Sequence, residues 1–203
     1  MTEDQWPERV KQLPRFGRYP VPYFALMVDG VPDFRVVDTQ KKSTAAIRKL
    51  CWICGQKISH PDRFCFVGGP SCTRNGLFGD GPSHFECAEF AMQICPYIMR
   101  DDATRADFQK IMAKLGNYTV VDESSHIEKR PDWFYLVQAA DYRFMFVPEV
   151  GHRVFVVVPY KPKPSKIYTV VDDIGRLPRI YVQIDQWQNG KKVRENIDIV
   201  DVK

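Results

Sequence analysis

Cys51-x-x-Cys54-Gly55 and Ser83-His84-x-x-Cys87 place four soft or borderline metal ligands in two pairs, Ser83 standing 29 residues after Cys54. Ligands of these types at these spacings suit tetrahedral Zn²⁺. A site closed by four protein ligands is structural, because it leaves no open position for a substrate. The expected set is Cys51, Cys54, His84 and Cys87 around one structural zinc ion. Cys72 lies in the same loop and is the alternative ligand in place of His84. Cys95 stands eight residues past Cys87, about 12 Å along a helix, too far to share an ion with it. Cys65, between Phe64 and Phe66, reads as a small buried hydrophobe.

Catalytic readings of the same residues are weaker. His84-Phe85-Glu86 has the His-x-Glu spacing of zinc deaminases, whose glutamate moves protons for a metal-bound water. In those enzymes it precedes the Cys-x-x-Cys pair, whereas here it follows, and Cys87 closes the site. A metal-dependent nuclease needs a histidine base beside its metal, and His60 is the nearby candidate, within a turn-like His60-Pro61-Asp62. His126 and His152 are isolated. Trp133, Phe134, Tyr135, Tyr142, Phe144 and Phe146 could stack bases, and alternating core positions of a sheet explain them equally well. Lys161, Lys163 and Lys166, interleaved with prolines, are the candidate nucleic-acid contacts.

With 203 residues and 44% apolar content, the chain can build a core of its own. The apolar stretches at 154–159 and 85–95 fall short of the roughly 20 residues that cross a bilayer, and residues 1–10 are too polar for a signal peptide. A cytoplasmic protein with no membrane partner is expected. In that setting six cysteines favour metal binding over cystine bridges. Lys plus Arg exceeds Asp plus Glu by three in residues 1–50 and by four in 151–203, balances in 51–100, and falls short by three in 101–150. The metal-binding segment is thus neutral, unlike a finger that grips phosphates.

The elements that must position the ligands follow from the pattern. The first twenty residues, with Pro7, Pro14 and Pro20, read as an irregular arm. Stretches 24–28 and 34–37 flank Asp29-Gly30, a pair suited to a hairpin turn. A helix over 43–50 then leads to Cys51. Residues 63–67 read as a strand ended by Gly68-Gly69-Pro70. Ser83 with Glu86 three residues on is a capping box that starts a helix carrying His84 and Cys87, and Pro96 ends it. A second helix is expected over 102–116. Strands follow over 133–139, 142–147, 153–159, 167–171, 179–187 and 192–202, with Asn189-Gly190 joining the last two and Pro159, Pro162 and Pro164 marking an exposed connection.

A metal-binding turn, a strand, and a helix whose first turn supplies the second ligand pair resemble the treble-clef arrangement of zinc modules. Tyr19-Pro-Val-Pro-Tyr-Phe24, Asp29-Gly-Val-Pro-Asp-Phe-Arg35, Cys51-Trp-Ile-Cys-Gly55, Gly69-Pro-Ser-Cys72 with Asn75, Pro82-Ser-His-Phe-Glu-Cys-Ala-Glu89 and Cys95-Pro-Tyr97 together resemble a family of uncharacterised proteins from bacteria, especially actinobacteria, and their phages. The similarity spans about residues 19–100, continues loosely over 133–158 and stops beyond Lys161. It implies zinc binding and a prokaryotic or phage setting, and it includes Cys72 and Cys95 among the motif residues.

The fold class expected is α+β: a treble-clef-like zinc module with two helices, followed by a mainly antiparallel β region. The organisation expected is an N-terminal arm over 1–18, a hairpin plus zinc-binding helical module over 19–116, and an antiparallel β region over 117–203. The function expected is that of a zinc-stabilised non-enzymatic protein that binds a macromolecule. A protein partner is preferred to nucleic acid, with a metal-dependent hydrolase as the third reading.

Overall fold

A computed structural model of the chain describes residues 2–59, 64–69, 72, 76–95, 98, 133–149, 152–160, 163–169, 180–181, 185–188 and 191–194. It mixes helices with antiparallel strands, an α+β chain. The expected helix at 102–116 lies outside the described residues. Among the described residues no helix is long and apolar enough to cross a membrane.

The first twenty residues differ from the irregular arm their prolines suggested. They form a 3-10 turn at Glu3–Gln5, helix α1 at Glu8–Lys11, and a small hairpin of β1, Arg15–Phe16, and β2, Tyr19–Pro20. Trp6 and Val10, one helical turn apart, are buried in the main core, and the Trp6 ring meets Phe90 edge-on at 5.3 Å between centroids. Burial of this pair outweighs the local tendency of a proline-rich segment to stay irregular.

The hairpin of β3, Ala25–Val28, and β4, Val31–Val37, turns at Asp29-Gly30 as expected. Both turn residues have positive φ, 50° and 80°, the geometry that matches the twist of the flanking strands. Helix α2, Thr39–Arg48, begins four residues earlier than read, because the Asp38 carboxylate accepts from the N–H groups of Gln40 and Lys41 at 3.0 Å each. Lys49, left-handed at φ 57°, ends it and turns the chain toward Cys51.

Strand β5, Phe64–Gly68, pairs antiparallel with β6, Trp133–Ala139, whose observed bounds coincide with the sequence expectation. The sheet continues through β9, Lys163–Thr169, to β10, Ile180–Tyr181, in the order β10-β9-β6-β5. Alternation along the strands separates two clusters. Phe64, Phe66, Val137 and Ala139 enter the main core with Cys51, Trp52, Cys54 and Phe90, while Cys65, Phe134 and Leu136 meet Ala88 and Met92 on the other side. A strand buried on both faces explains why Phe64-Cys65-Phe66-Val67 is apolar throughout.

Strand β7, Asp141–Glu149, and β8, His152–Tyr160, form a separate two-stranded hairpin, as do β11, Asp185–Gln188, and β12, Lys191–Arg194. The stretch read as one strand over 179–187 is therefore described as two, β10 and β11. Gln188 lies opposite Lys191, which fits the expected two-residue connection at Asn189-Gly190. The prolines read as an exposed connection are strand residues instead: Pro159 is buried in β8 opposite Tyr142, and Pro164 sits in β9 opposite Val137, beside a register shift. A proline is tolerated at an edge strand or a bulge because no ladder hydrogen bond needs its missing N–H. Pro162 lies outside the described residues.

Helix α3, Phe85–Ile94, carries the second ligand pair and stops two residues before Pro96. Its expected capping box does not form. His84 is the N-cap residue, and no side chain caps the helix. Ser83 instead exchanges both backbone hydrogen bonds with Cys65 in an isolated bridge, and Glu86 reaches Arg9 at 3.1 Å.

Candidate metal centre

The first half-site is a tight turn closed between α2 and residue 58. Leu50 bridges Lys57, Cys51 N–H donates to Gln56 O at 2.7 Å, Gly55 N–H donates to Cys51 O at 2.8 Å, and Ile58 N–H donates to Lys49 O at 2.9 Å. Gly55 has φ 73°, and a Cβ there would meet the Tyr23 ring at 2.8 Å. Both facts demand glycine after the second cysteine. The turn points inward the Cys54 N–H, which donates to Cys51 Sγ at 3.4 Å.

The second half-site arrives from the other side of the core. Trp52 N–H donates to Pro82 O at 2.6 Å, tying the two half-sites together through their backbones. Gly81 makes that approach possible, since a Cβ there would sit 2.6 Å from the Trp52 indole. The next residue pair is fixed by the Ser83–Cys65 bridge, so His84 and Cys87 are aimed by β5 as much as by their helix. His84 N–H donates to Cys51 Sγ at 3.4 Å.

The ligand atoms of Cys51, Cys54, His84 and Cys87 all lie within 4.8 Å of one another, and all four residues are buried. A tetrahedral zinc site with bonds of about 2.0–2.3 Å has ligand–ligand edges of roughly 3.3–3.8 Å. His84 Nδ1 lies 3.4 Å from Cys54 Sγ, close to such an edge. The other ring nitrogen, Nε2, donates to Lys57 O at 3.3 Å. A carbonyl only accepts, so it holds a ring proton on Nε2 and leaves Nδ1 as the nitrogen turned toward the sulfurs, the support that metal-ligating histidines commonly have.

The charge at the site asks for a cation. Burial works against ionisation of Cys51, but hydrogen bonds from Cys54, Cys87 and His84 outweigh it and hold this thiol well below its ordinary range. The Cys87 thiol moves the opposite way, raised by the neighbouring Cys51 and Cys54 sulfurs together with burial. Burial favours neutral His84, yet contact with the Cys51 and Cys54 sulfurs raises its imidazole to about 10. Three sulfurs this close cannot all ionise on their own, and a divalent cation among them removes the conflict. The donor set fits a metal ion.

Cys72, the alternative ligand, is not in this group; it packs against Gly68 and the edge of the main core. The fourth position belongs to His84. Cys95 packs beside the second cluster, at the far end of α3. Cys65 is buried, and burial pushes its thiol up to about 12. None of the six cysteines forms a disulfide. Lys163 and Lys166 lie in β9, opposite Gln138 and Leu136, whereas Lys161, His60 and His126 lie outside the described residues. Of the aromatic residues read as a stacking platform, Phe134 is buried and Tyr142 packs edge-on against Phe64 and Phe66, so both serve the core.

No family model, curated protein or solved structure matches this chain. The site must speak through its own chemistry.

Sequence reasoning missed the second layer of support. Arg9 donates through Nε to Glu86 and through a terminal nitrogen to Gln56 at 2.9 Å, so α1 touches both half-sites at once. The i, i+4 pair Trp6 and Val10 was the available signal that this segment packs.

Proposed function

We propose that this protein is a zinc-stabilised, non-enzymatic module that works by binding a protein partner, in a bacterial or phage-infected cell as the motif resemblance implies. The observation that carries the reading is the closed donor set: four buried ligand residues, three sulfurs and one imidazole, leave no position for a substrate or a catalytic water. On this reading Cys51, Cys54, His84 and Cys87 hold one Zn²⁺ in a treble-clef-like module. The ion would supply folding energy, as structural zinc does elsewhere.

The test is a pull-down of the tagged full chain from host lysate, with and without nuclease, alongside metal analysis of the purified protein. A specific protein retained after nuclease treatment supports the proposal. Recovery of nucleic acid alone, lost on nuclease treatment, would replace it with the nucleic-acid reading built on Lys161, Lys163 and Lys166. Turnover of DNA or RNA with added Mg²⁺ or Mn²⁺, abolished by His60→Ala, would replace it with the hydrolase reading.

A further inference from the structure

Seven large hydrophobic side chains stand exposed among the described residues, and four of them, Phe16, Met27, Val31 and Phe34, belong to the two N-terminal hairpins. Phe16 is 47% exposed and Val31 48%. The Phe34 ring bridges the hairpins, with centroids 6.4 Å from both Phe16 and Tyr19. Clustering of this kind on a surface marks a contact site, whereas single exposed hydrophobics are ordinary. The metal centre does not use these residues.

The charges around the cluster decide what it takes. Arg15 is paired with Glu3 and covers the Trp6 ring, and Arg35 is paired with Asp33 at 2.6 Å. Arg18 differs. Its guanidinium lies over the Tyr19 ring, 5.0 Å from the centroid, and donates to Tyr19 Oη at 2.8 Å, and among the described residues no carboxylate pairs with it. Two of the three arginines are therefore already neutralised, which is poor provision for a phosphate backbone. Aromatic rings, methionine and one available arginine are instead the composition of a protein-binding patch.

We infer that the Phe16–Tyr19–Phe34 cluster docks a protein segment in which an apolar anchor side chain lies next to a carboxylate. The anchor seats against the three rings, and the carboxylate pairs with Arg18. This inference rests on the protein-binding reading and names the partner's chemistry and the face it meets.

The experiment is selection of a displayed random twelve-residue peptide library on the full zinc-loaded chain, followed by anisotropy titration of selected peptides. Selected sequences are expected to join Phe, Leu or Trp to Asp or Glu. Phe34→Ala and Arg18→Glu should each weaken binding by about tenfold, and selection on Arg18→Glu should shift the charged partner to Lys or Arg. Both positions are on the surface, and unchanged zinc content and circular dichroism establish that the variants fold. Peptides without acidic enrichment, or binding indifferent to both substitutions, would overturn the inference. So would tighter binding of an oligo-dT probe at this face, or a dimer of the chain dissolved by Phe34→Ala. A lysate partner whose binding survives both substitutions sinks this face alone; absence of both a protein partner and any selected peptide sinks the parent reading as well.

Discussion

Cys65 and Ser83 exchange both backbone hydrogen bonds, at 2.9 and 2.8 Å. Cys65 belongs to β5, whose other edge pairs with β6 along its whole length. Ser83 precedes His84. The sheet and the second candidate ligand pair are thereby one mechanical unit, held in part by strand residues about fifty places away in sequence. Loss of the metal should therefore be felt in β5 and β6 as well as in the local turn.

Metal content follows directly. The purified protein is expected to hold about one zinc per chain by plasma mass spectrometry. Cys54→Ser and Cys87→Ser should lose it along with cooperative thermal unfolding, since structural zinc contributes on the order of 10 kcal/mol, comparable with a domain's whole stability. Cys72→Ala should keep its zinc. Full metal retention in Cys87→Ser would refute the ligand assignment.

Cobalt substitution reports the donor set. The cobalt protein should show the visible bands of tetrahedral geometry and a thiolate charge-transfer band carried by three sulfurs. His84→Cys should preserve tetrahedral binding and strengthen that band. A spectrum of octahedral cobalt would show that the four residues do not close around an ion.

The caps can be told apart by stability. Asp38→Ala removes a carboxylate that accepts two backbone N–H groups and should cost about 1 kcal/mol. Ser83→Ala removes no cap and should cost less than Asp38→Ala in denaturant melts. Equal losses would restore the capping box read from the sequence.

The N-terminal segment should be structural. Trp6 is 7% exposed and packs on Phe90, so Trp6→Ala is expected to cost about 3–5 kcal/mol. Arg9→Ala removes a half-exposed ion pair and should cost at most about 1 kcal/mol. Deleting residues 1–12 without change in melting temperature would return the segment to the status of an arm.

A small acid-dependent term is expected between α2 and β7. Lys49 donates to Asp141 at 2.8 Å, and this hydrogen bond, helped by the Tyr142 N–H, holds the Asp141 carboxyl below the ordinary carboxylate range. A depressed folded pKa stabilises above the unfolded value and is lost as pH falls through the folded one. Both side chains are about half exposed, so the contribution is at most about 1 kcal/mol. Asp141→Asn should lower the melting temperature slightly at neutral pH, and the difference should vanish below the depressed pKa. A difference that persists in strong acid would assign the effect to packing.

Much of the site was legible before any coordinates. Ligand types and spacing are local properties, and Gly55 and Asp29-Gly30 carry their backbone conformations in their identity. The bounds of β6 followed from β-rich composition over 133–139. What could not be read was pairing across distance. No local pattern tells that Ser83 gives its backbone to Cys65, that Arg9 reaches both Gln56 and Glu86, or that Pro159 and Pro164 sit in strands.

The sequence by itself determined the chemistry: which side chains can meet a divalent ion, with Cys72 still standing beside His84 for one position, and where the turns that present them must bend. Tertiary structure alone decided that His84 and not Cys72 joins the three sulfurs, which nitrogen of His84 faces them, and that α1 and β5 both brace the centre. The physical reason is that ligand identity and turn conformation are set by single residues, whereas bracing depends on burial and hydrogen bonds among segments that meet only when the chain folds.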